Sequence, residues 1–384
     1  MDQAAIDARL TRDIHAAGGA GAILFAVIDE WFKKNWAVID FVQPPERNRL
    51  WLNVLDAEQN YGILAMRAGP KDSAITIDGR SDDWGARGAT WGGIAPPSGL
   101  DAPLAIQDVR ATSDEAYLYL RLDVGAIDWT KGRYLIGIDS YRPDLGGTRL
   151  PRTGTVCNSG LEFVIDLVGP EDSELLVDRP YNLYRSAAIS GTNPPRTTQV
   201  YNRPWISVSH ADLQWDTLLL ETNRIRVGRD GTVFPSVNDR RNRLRFARQA
   251  DNSVADWFAD PATGVIEIRL GWGMLHVMDP SSHWVLHGTA DGRSPNGTTT
   301  DGFRLVVQSY RPDDPSAGGM ALGCGAGPAP FHYTWPGWEA PRWHQEVKPV
   351  FAAMRETFRA ITGPVAFGPE RPARVGGAAR SRTR

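Results

Sequence analysis

The sequence predicts a mainly β protein: an antiparallel, jelly-roll-like β-sandwich with a short N-terminal α/β segment and a C-terminal helix. Three observations carry this expectation. Between residues 75 and 139, short apolar runs are punctuated by turn residues, from Ile75-Thr76-Ile77-Asp78-Gly79 through Ser81-Asp82-Asp83-Trp84 to Tyr134-Leu135-Ile136-Gly137-Ile138-Asp139. Tyr117, Tyr119 and Arg121 alternate with Leu118, Leu120 and Leu122, a period of two with one leucine face for a core. The chain holds 39 Gly and 27 Pro in 384 residues, above the roughly 12% these two residues average together, as a turn-rich β protein requires.

In chain order, residues 2–17 predict a helix, with Asp2 as N-cap, Ile6, Leu10 and Ile14 on one face, and Gly18-Gly19 as its stop. Residues 22–28 are apolar at every position, the pattern of a central parallel strand buried on both sides. Pro44-Pro45-Glu46 opens a second helical stretch with Leu50, Val54 and Leu55 on its apolar side. Residues 63–66 predict a strand, and Ala68-Gly69-Pro70 a boundary.

Further along, Leu161, Phe163, Ile165 and Leu167 share one face, with Glu162 and Asp166 on the other. Further strands are expected at 174–177, 198–202, 205–209, 217–221, 265–270, 303–310 and 331–335, and a helical turn at 271–277. Residues 224–256 are charged and turn-rich, an excursion from the sheet edge. A helix is expected over 345–361. The segment 363–384 is rich in Gly, Pro, Ala and Arg and is too poor in apolar residues to fold. The organisation is therefore 1–70 α/β, 71–340 sandwich, 341–362 helix and 363–384 tail.

Composition excludes several functions. The net charge of −3 argues against a nucleic-acid partner, and no apolar run is long enough to span a bilayer. No signal peptide is read: Asp2, Asp7 and Asp13 precede the apolar stretch, and no small-residue cleavage site follows it. Cys157 and Cys324 either form one bridge or remain two buried thiols. The seven His residues show no zinc spacing with them, and no Gly-x-Ser-x-Gly elbow is present. Ser140-Tyr141-Arg142-Pro143-Asp144 recurs as Ser309-Tyr310-Arg311-Pro312-Asp313. Each copy follows an apolar strand, so they are either two similar turns or a pair of loops lining one ligand rim.

Two family resemblances rest on these residues. The turn Asp78-Gly79-Arg80-Ser81-Asp82-Asp83-Trp84, the Tyr117-Leu118-Tyr119 strand, the Ile136-Gly137-Ile138-Asp139 strand and Ile266-Glu267-Ile268 leading to Trp272 resemble, in order, the family 9 carbohydrate-binding modules over residues 72–335. That resemblance implies a sandwich that binds poly- or oligosaccharide between aromatic side chains, outside the cytoplasm, and often holds structural calcium. Candidate sugar contacts are Trp91, Trp129, Tyr141, Arg142, Tyr310, Arg311 and Trp84, the last more plausibly a plug in the sandwich end. Candidate calcium oxygens are Asp78, Asp82, Asp83 and Asp139, although for each taken singly a turn-forming role is the first reading. Some relatives of the sandwich hold haem, and Met274 with His276 is the one pair here of that kind.

The second resemblance covers residues 1–60. Residues 22–36, with Asp29, Glu30 and Trp31 at a strand end, resemble the last strand of retaining (β/α)8 glycoside hydrolases. This implies either a barrel remnant, whose catalytic carboxylates would come from an upstream barrel domain, or a short αβ cap on the sandwich. The leading expectation is a non-catalytic carbohydrate-binding chain, with the C-terminal part of a glycoside hydrolase as the alternative.

Overall fold

The computed structural model describes residues 3–33, 45–55, 59–71, 74–182, 215–218, 220–223, 226–235, 237–239, 242–247, 255–288, 296–317 and 319–361. Asp2, the strands expected at 198–202 and 205–209, and the tail 363–384 lie outside these residues.

Two antiparallel sheets pack face to face. The first orders Trp257–Asp260, Val265–Gly271, Tyr117–Val124, Ile106–Ser113 and Ala89–Thr90. The second orders Trp215–Thr217, Glu174–Asp178, Phe163–Leu167, Arg133–Asp139, Phe303–Tyr310 and Ala321–Leu322, with Phe331–Tyr333 also paired to Phe303–Tyr310. The chain crosses between sheets after Val124 and again after Gly271, the sheet-switching of a jelly-roll-like sandwich. The leucines of the Tyr-Leu-Tyr-Leu strand do face inward. Leu118, Leu120 and Leu122, with Ile266, Ile268 and Leu270, pack on Ile136, Ile138, Phe163, Ile165, Leu305 and Val307 of the second sheet.

The outer faces are covered too, which the alternating pattern did not foretell. On the first sheet Tyr119, Arg121, Glu267 and Arg269 point away from the core yet are buried. The turn 75–84 lies over them and seats Ile75, Ile77 and Trp84 beside Tyr119. Gly79, at φ +76°, has no room for a side chain: a Cβ there would meet Asp260 Cβ at 2.5 Å. On the second sheet, Glu162 and Asp166 are buried rather than solvated. Asp166 accepts hydrogen bonds from Arg152 Nε and the Tyr310 hydroxyl, each at 2.9 Å. Glu162 accepts from the Ser140 amide and hydroxyl.

The hairpin Gly147–Arg149/Val156–Leu161 covers this second outer face, and Cys157 is bonded to Cys324 across it. The two cysteines therefore form a bridge and are not free thiols.

The chain ends form one further layer. The N-terminal helix, Gln3–Ala16, ends in a Schellman turn: Gly18 has φ +83° and donates to the His15 carbonyl, and Gly19 donates to that of Ile14. Its buried side is not the Ile6, Leu10 and Ile14 stripe. Ala4 and Ala8 instead pack on Val350 and Met354 of the C-terminal helix, Pro349–Ile361, leaving Leu10 and Ile14 exposed. That helix starts later than expected because Trp343–Val347 is a strand, paired antiparallel with Leu64–Ala68. The expected central strand at 22–28 is instead an open edge. It touches the sheet through a parallel bridge between Ile28 and Leu64, and Ile23, Phe25 and Val27 stand exposed because nothing among the described residues covers that side. Among the described residues no helix is long and apolar enough to cross a membrane.

The bond between Cys157 and Cys324 closes a loop with a sequence separation of 167. Chain entropy puts its contribution at up to about 5 kcal/mol. The Cys157→Ser/Cys324→Ser variant is therefore expected to melt several degrees below the parent by scanning calorimetry. The parent in reducing agent should fall to the same midpoint.

Candidate functional site

A pocket of about 400 Å³ opens between the outer face of the first sheet and the ribbon formed by the chain ends. Tyr117, Tyr119 and Arg269 form one wall. Strand register sets Arg269 directly opposite Tyr119, so both leave the sheet on the side away from the leucine core. The Arg269 guanidinium lies 4.9 Å from the centre of the Tyr117 ring, and its Nε donates to the Ala255 carbonyl at 2.7 Å. Arg67, His344 and Glu346 form the facing wall. Arg67 Nε donates to Glu346 Oε2 at 3.1 Å, and His344 Nδ1 bonds the Gly69 carbonyl at 2.8 Å. Ala74, Ile75 and Thr76 complete the rim.

Asp114 sits where the two neighbouring strands turn. Its Oδ1 accepts the amides of Ala116 and Tyr117, and its Oδ2 accepts the Tyr119 hydroxyl, each at 2.8 Å. Burial pushes the Asp114 carboxyl up to about 6, against the pull of those three donors. Burial and the neighbouring Asp114 also raise the Tyr119 phenol well above its ordinary range. Glu346 moves the other way. Burial works against its charge, but the Arg67 hydrogen bond and charge, aided by His344, outweigh it and hold the carboxylate low. The pocket thus offers an ionised acceptor, guanidinium donors and two phenols around a space the size of one small polar molecule.

None of the sequence-derived candidates lines this pocket. Trp84 is fully buried and donates through Nε1 to Glu267 at 2.5 Å, the structural plug its turn suggested. Trp91 is a core residue stacked on Phe331, with ring centres 5.7 Å apart. Trp129 is half-buried, edge-on to Tyr134 and Trp257.

The two Ser-Tyr-Arg-Pro-Asp copies do not share a rim. Their strands run antiparallel, with Asp139 opposite Arg304 and Tyr310 opposite Arg133, so the two loops lie at opposite ends of the sheet. Both tyrosines are buried. Tyr141 bonds the Tyr181 hydroxyl and Tyr310 bonds Asp166. Arg142 and Arg311 are at the surface, paired with Asp144 and Asp101.

The remaining candidates are also engaged elsewhere. Asp29 is buried, its Oδ1 accepting from the Gly62 amide at 2.9 Å and from Lys348 Nζ at 2.6 Å. Glu30 pairs with Lys33, and Trp31 packs by Phe32 and Trp343. Among the described residues no three His, Cys, Asp or Glu groups converge to hold a metal ion. Asp78 accepts the Arg80 amide, Asp83 the Thr76 amide, and Asp139 the Tyr141 amide and Ser159 hydroxyl. Asp82 is exposed. Met274 and His276 are core residues, His276 edge-on to Phe163 at 5.1 Å, and its burial drives the imidazole down to about 3.

The pocket residues themselves carry one sequence signal, the Tyr-Leu-Tyr alternation, whose leucines mark the core face and whose tyrosines mark the pocket face. No family model matches the chain, and no curated protein matches it.

Three carboxyls give stability a definite pH dependence. Burial raises Asp114 to about 6, and Asp178 and Glu267 to about 7. Unfolded, such groups titrate near pH 4. Between these limits the folded state holds more protons, so their stabilisation is complete below about pH 4 and is lost as pH rises through 6 to 7. Urea denaturation is therefore expected to give a lower unfolding free energy at pH 8 than at pH 5. A rise over that range would contradict the assignment.

Proposed function

We propose that this chain is a non-catalytic carbohydrate-binding β-sandwich that seats one sugar ring in the pocket between Tyr117 and Glu346. The observation that carries the reading is the pocket's mixed lining: two tyrosines on one wall, a guanidinium–carboxylate pair on the other, and a volume of about 400 Å³. A sugar needs an apolar surface for its ring face and paired donors and acceptors for its hydroxyls. Arg67 and Glu346 satisfy each other when the pocket is empty and can each turn to a hydroxyl, one as donor and one as acceptor. The resemblance to family 9 modules, through the Asp78–Trp84 turn and the Glu267 strand, points to the same ligand class. The position of the site is this chain's own: of the tryptophan candidates, Trp84 and Trp91 are packed into the core, and Trp129 is half-buried against Tyr134 and Trp257. The Cys157–Cys324 bond favours an oxidising compartment, as for a secreted polysaccharide binder.

Calorimetric titration with glucans, xylans and their mono- and disaccharides tests the reading. One class should bind, and Arg67→Ala and Glu346→Ala should each weaken it by roughly 10- to 100-fold, the loss of a charged hydrogen-bond partner. Both residues are well exposed, so folding should survive the changes. Arg142→Ala and Arg311→Ala should leave binding unchanged. Silence across the whole panel, or binding indifferent to both pocket variants, would reject the site.

A further inference from the structure

The open edge at 22–28 has a chemistry its position does not explain. The segment runs parallel beside residues 61–64. The Ala26 amide donates to the Tyr61 carbonyl, the Ile63 amide to that of Ala26, and the Asp29 amide to that of Leu64, at 3.0 to 3.1 Å. Side chains therefore alternate, and Leu24, Ala26 and Ile28 turn partly inward. The outward set is apolar as well: Ile23 is 98% exposed, Phe25 57% and Val27 65%. Tyr61, 48% exposed, extends the patch through an edge contact with Phe25. From Ala20 to Ile28 there is no charged residue. Two lysines lie at the margin: Lys33, 5.5 Å from the Phe25 ring and paired with Glu30, and Lys348, held by Asp29 and the Asn60 carbonyl.

From this face we infer that the chain forms a twofold dimer, with a second copy packed on Ile23, Phe25, Val27 and Tyr61. Two features favour a second copy as the occupant. The first is electrostatic: self-packing about a twofold axis sets a patch against itself, which like charges would forbid, and this patch has none at its centre. The second is area. The four residues expose on the order of 500 Å², so their full burial in both copies would cover about 1,000 Å², the size a specific interface should clear. A patch of this size is at the upper end of what a monomer leaves exposed. The surface is separate from the sugar pocket, so this inference stands or falls without that one.

Sedimentation velocity and light scattering on the full chain test it. The parent is expected to be a dimer that dissociates on dilution. Ile23→Glu/Val27→Glu should be monomeric throughout, or at least 100-fold weaker in self-association. The milder Ile23→Gln should be intermediate, and Val156→Glu, at an exposed apolar site elsewhere, should leave the dimer intact. Circular dichroism confirms that each variant folds. A parent that is monomeric at every concentration, an open-ended aggregate, or a dimer that survives the double change would overturn the proposal.

Discussion

The buried Glu267 side chain holds the 75–84 turn in place on the outer face of the first sheet. It projects from Val265–Gly271 on the side opposite the leucine core and is completely buried. One oxygen accepts the amides of Asp78 and Gly79 at 2.9 and 2.7 Å, and the other accepts the Trp84 indole. A buried carboxylate is costly without such partners. Here the partners are all supplied by one turn, so that turn has a single place to sit. Once seated, it lays Ile75, Ile77 and Trp84 over the sheet and brings Ile75 and Thr76 to the rim of the pocket. Arg121 completes the arrangement, its guanidinium 5.7 Å from the Trp84 ring and paired with Asp123 at 2.6 Å.

This explains which parts of the fold were legible in the sequence. Period-two alternation locates strands whatever covers their second face, so Tyr117–Val124, Phe303–Tyr310 and Val265–Gly271 emerge with nearly correct bounds. What alternation cannot reveal is whether the polar face meets solvent or another layer. Glu162 and Asp166 fall on the polar face of their strand and Glu267 on that of its own, yet each is buried: Glu162 accepts from Ser140, Asp166 from Arg152 and Tyr310, and Glu267 from the 78–84 turn. The error at the chain ends has the same origin. An amphipathic stripe on Gln3–Ala16 marks which face could be buried, but the C-terminal helix approaches over Ala4 and Ala8, whose small side chains permit the close contact. Trp343–Val347 reads as helix because its strand partner, Leu64–Ala68, lies almost the whole chain away.

The candidate site was less legible than the fold, for a physical reason. Aromatic residues are conspicuous in a sequence, and fourteen Trp invite a search for sugar platforms. In a sandwich of this size six of them, among the described residues, serve as core volume: Trp84, Trp257 and Trp272 are completely buried, and Trp51, Trp91 and Trp335 nearly so. The residues that do line the cavity are ordinary in composition, and their positions, 67, 114, 117, 269 and 346, share no local pattern. Only strand register, which puts Arg269 opposite Tyr119 and Arg67 opposite His344, brings them together.

The two walls of the pocket differ in how firmly they are held. Tyr117, Tyr119 and Arg269 belong to a sheet locked into the main core. Arg67, His344 and Glu346 ride on a two-stranded ribbon with a much smaller apolar footing, chiefly Leu52, Met66 and Ala116. Its position depends on polar ties: Glu115 accepting both the amide and Nε of Arg342, the Gly69 amide bonding the Arg342 carbonyl, and Lys348 reaching Asp29. A layer with few buried apolar contacts opens at lower free energy than the core beneath it. The mouth of the pocket is therefore adjustable while its floor is not.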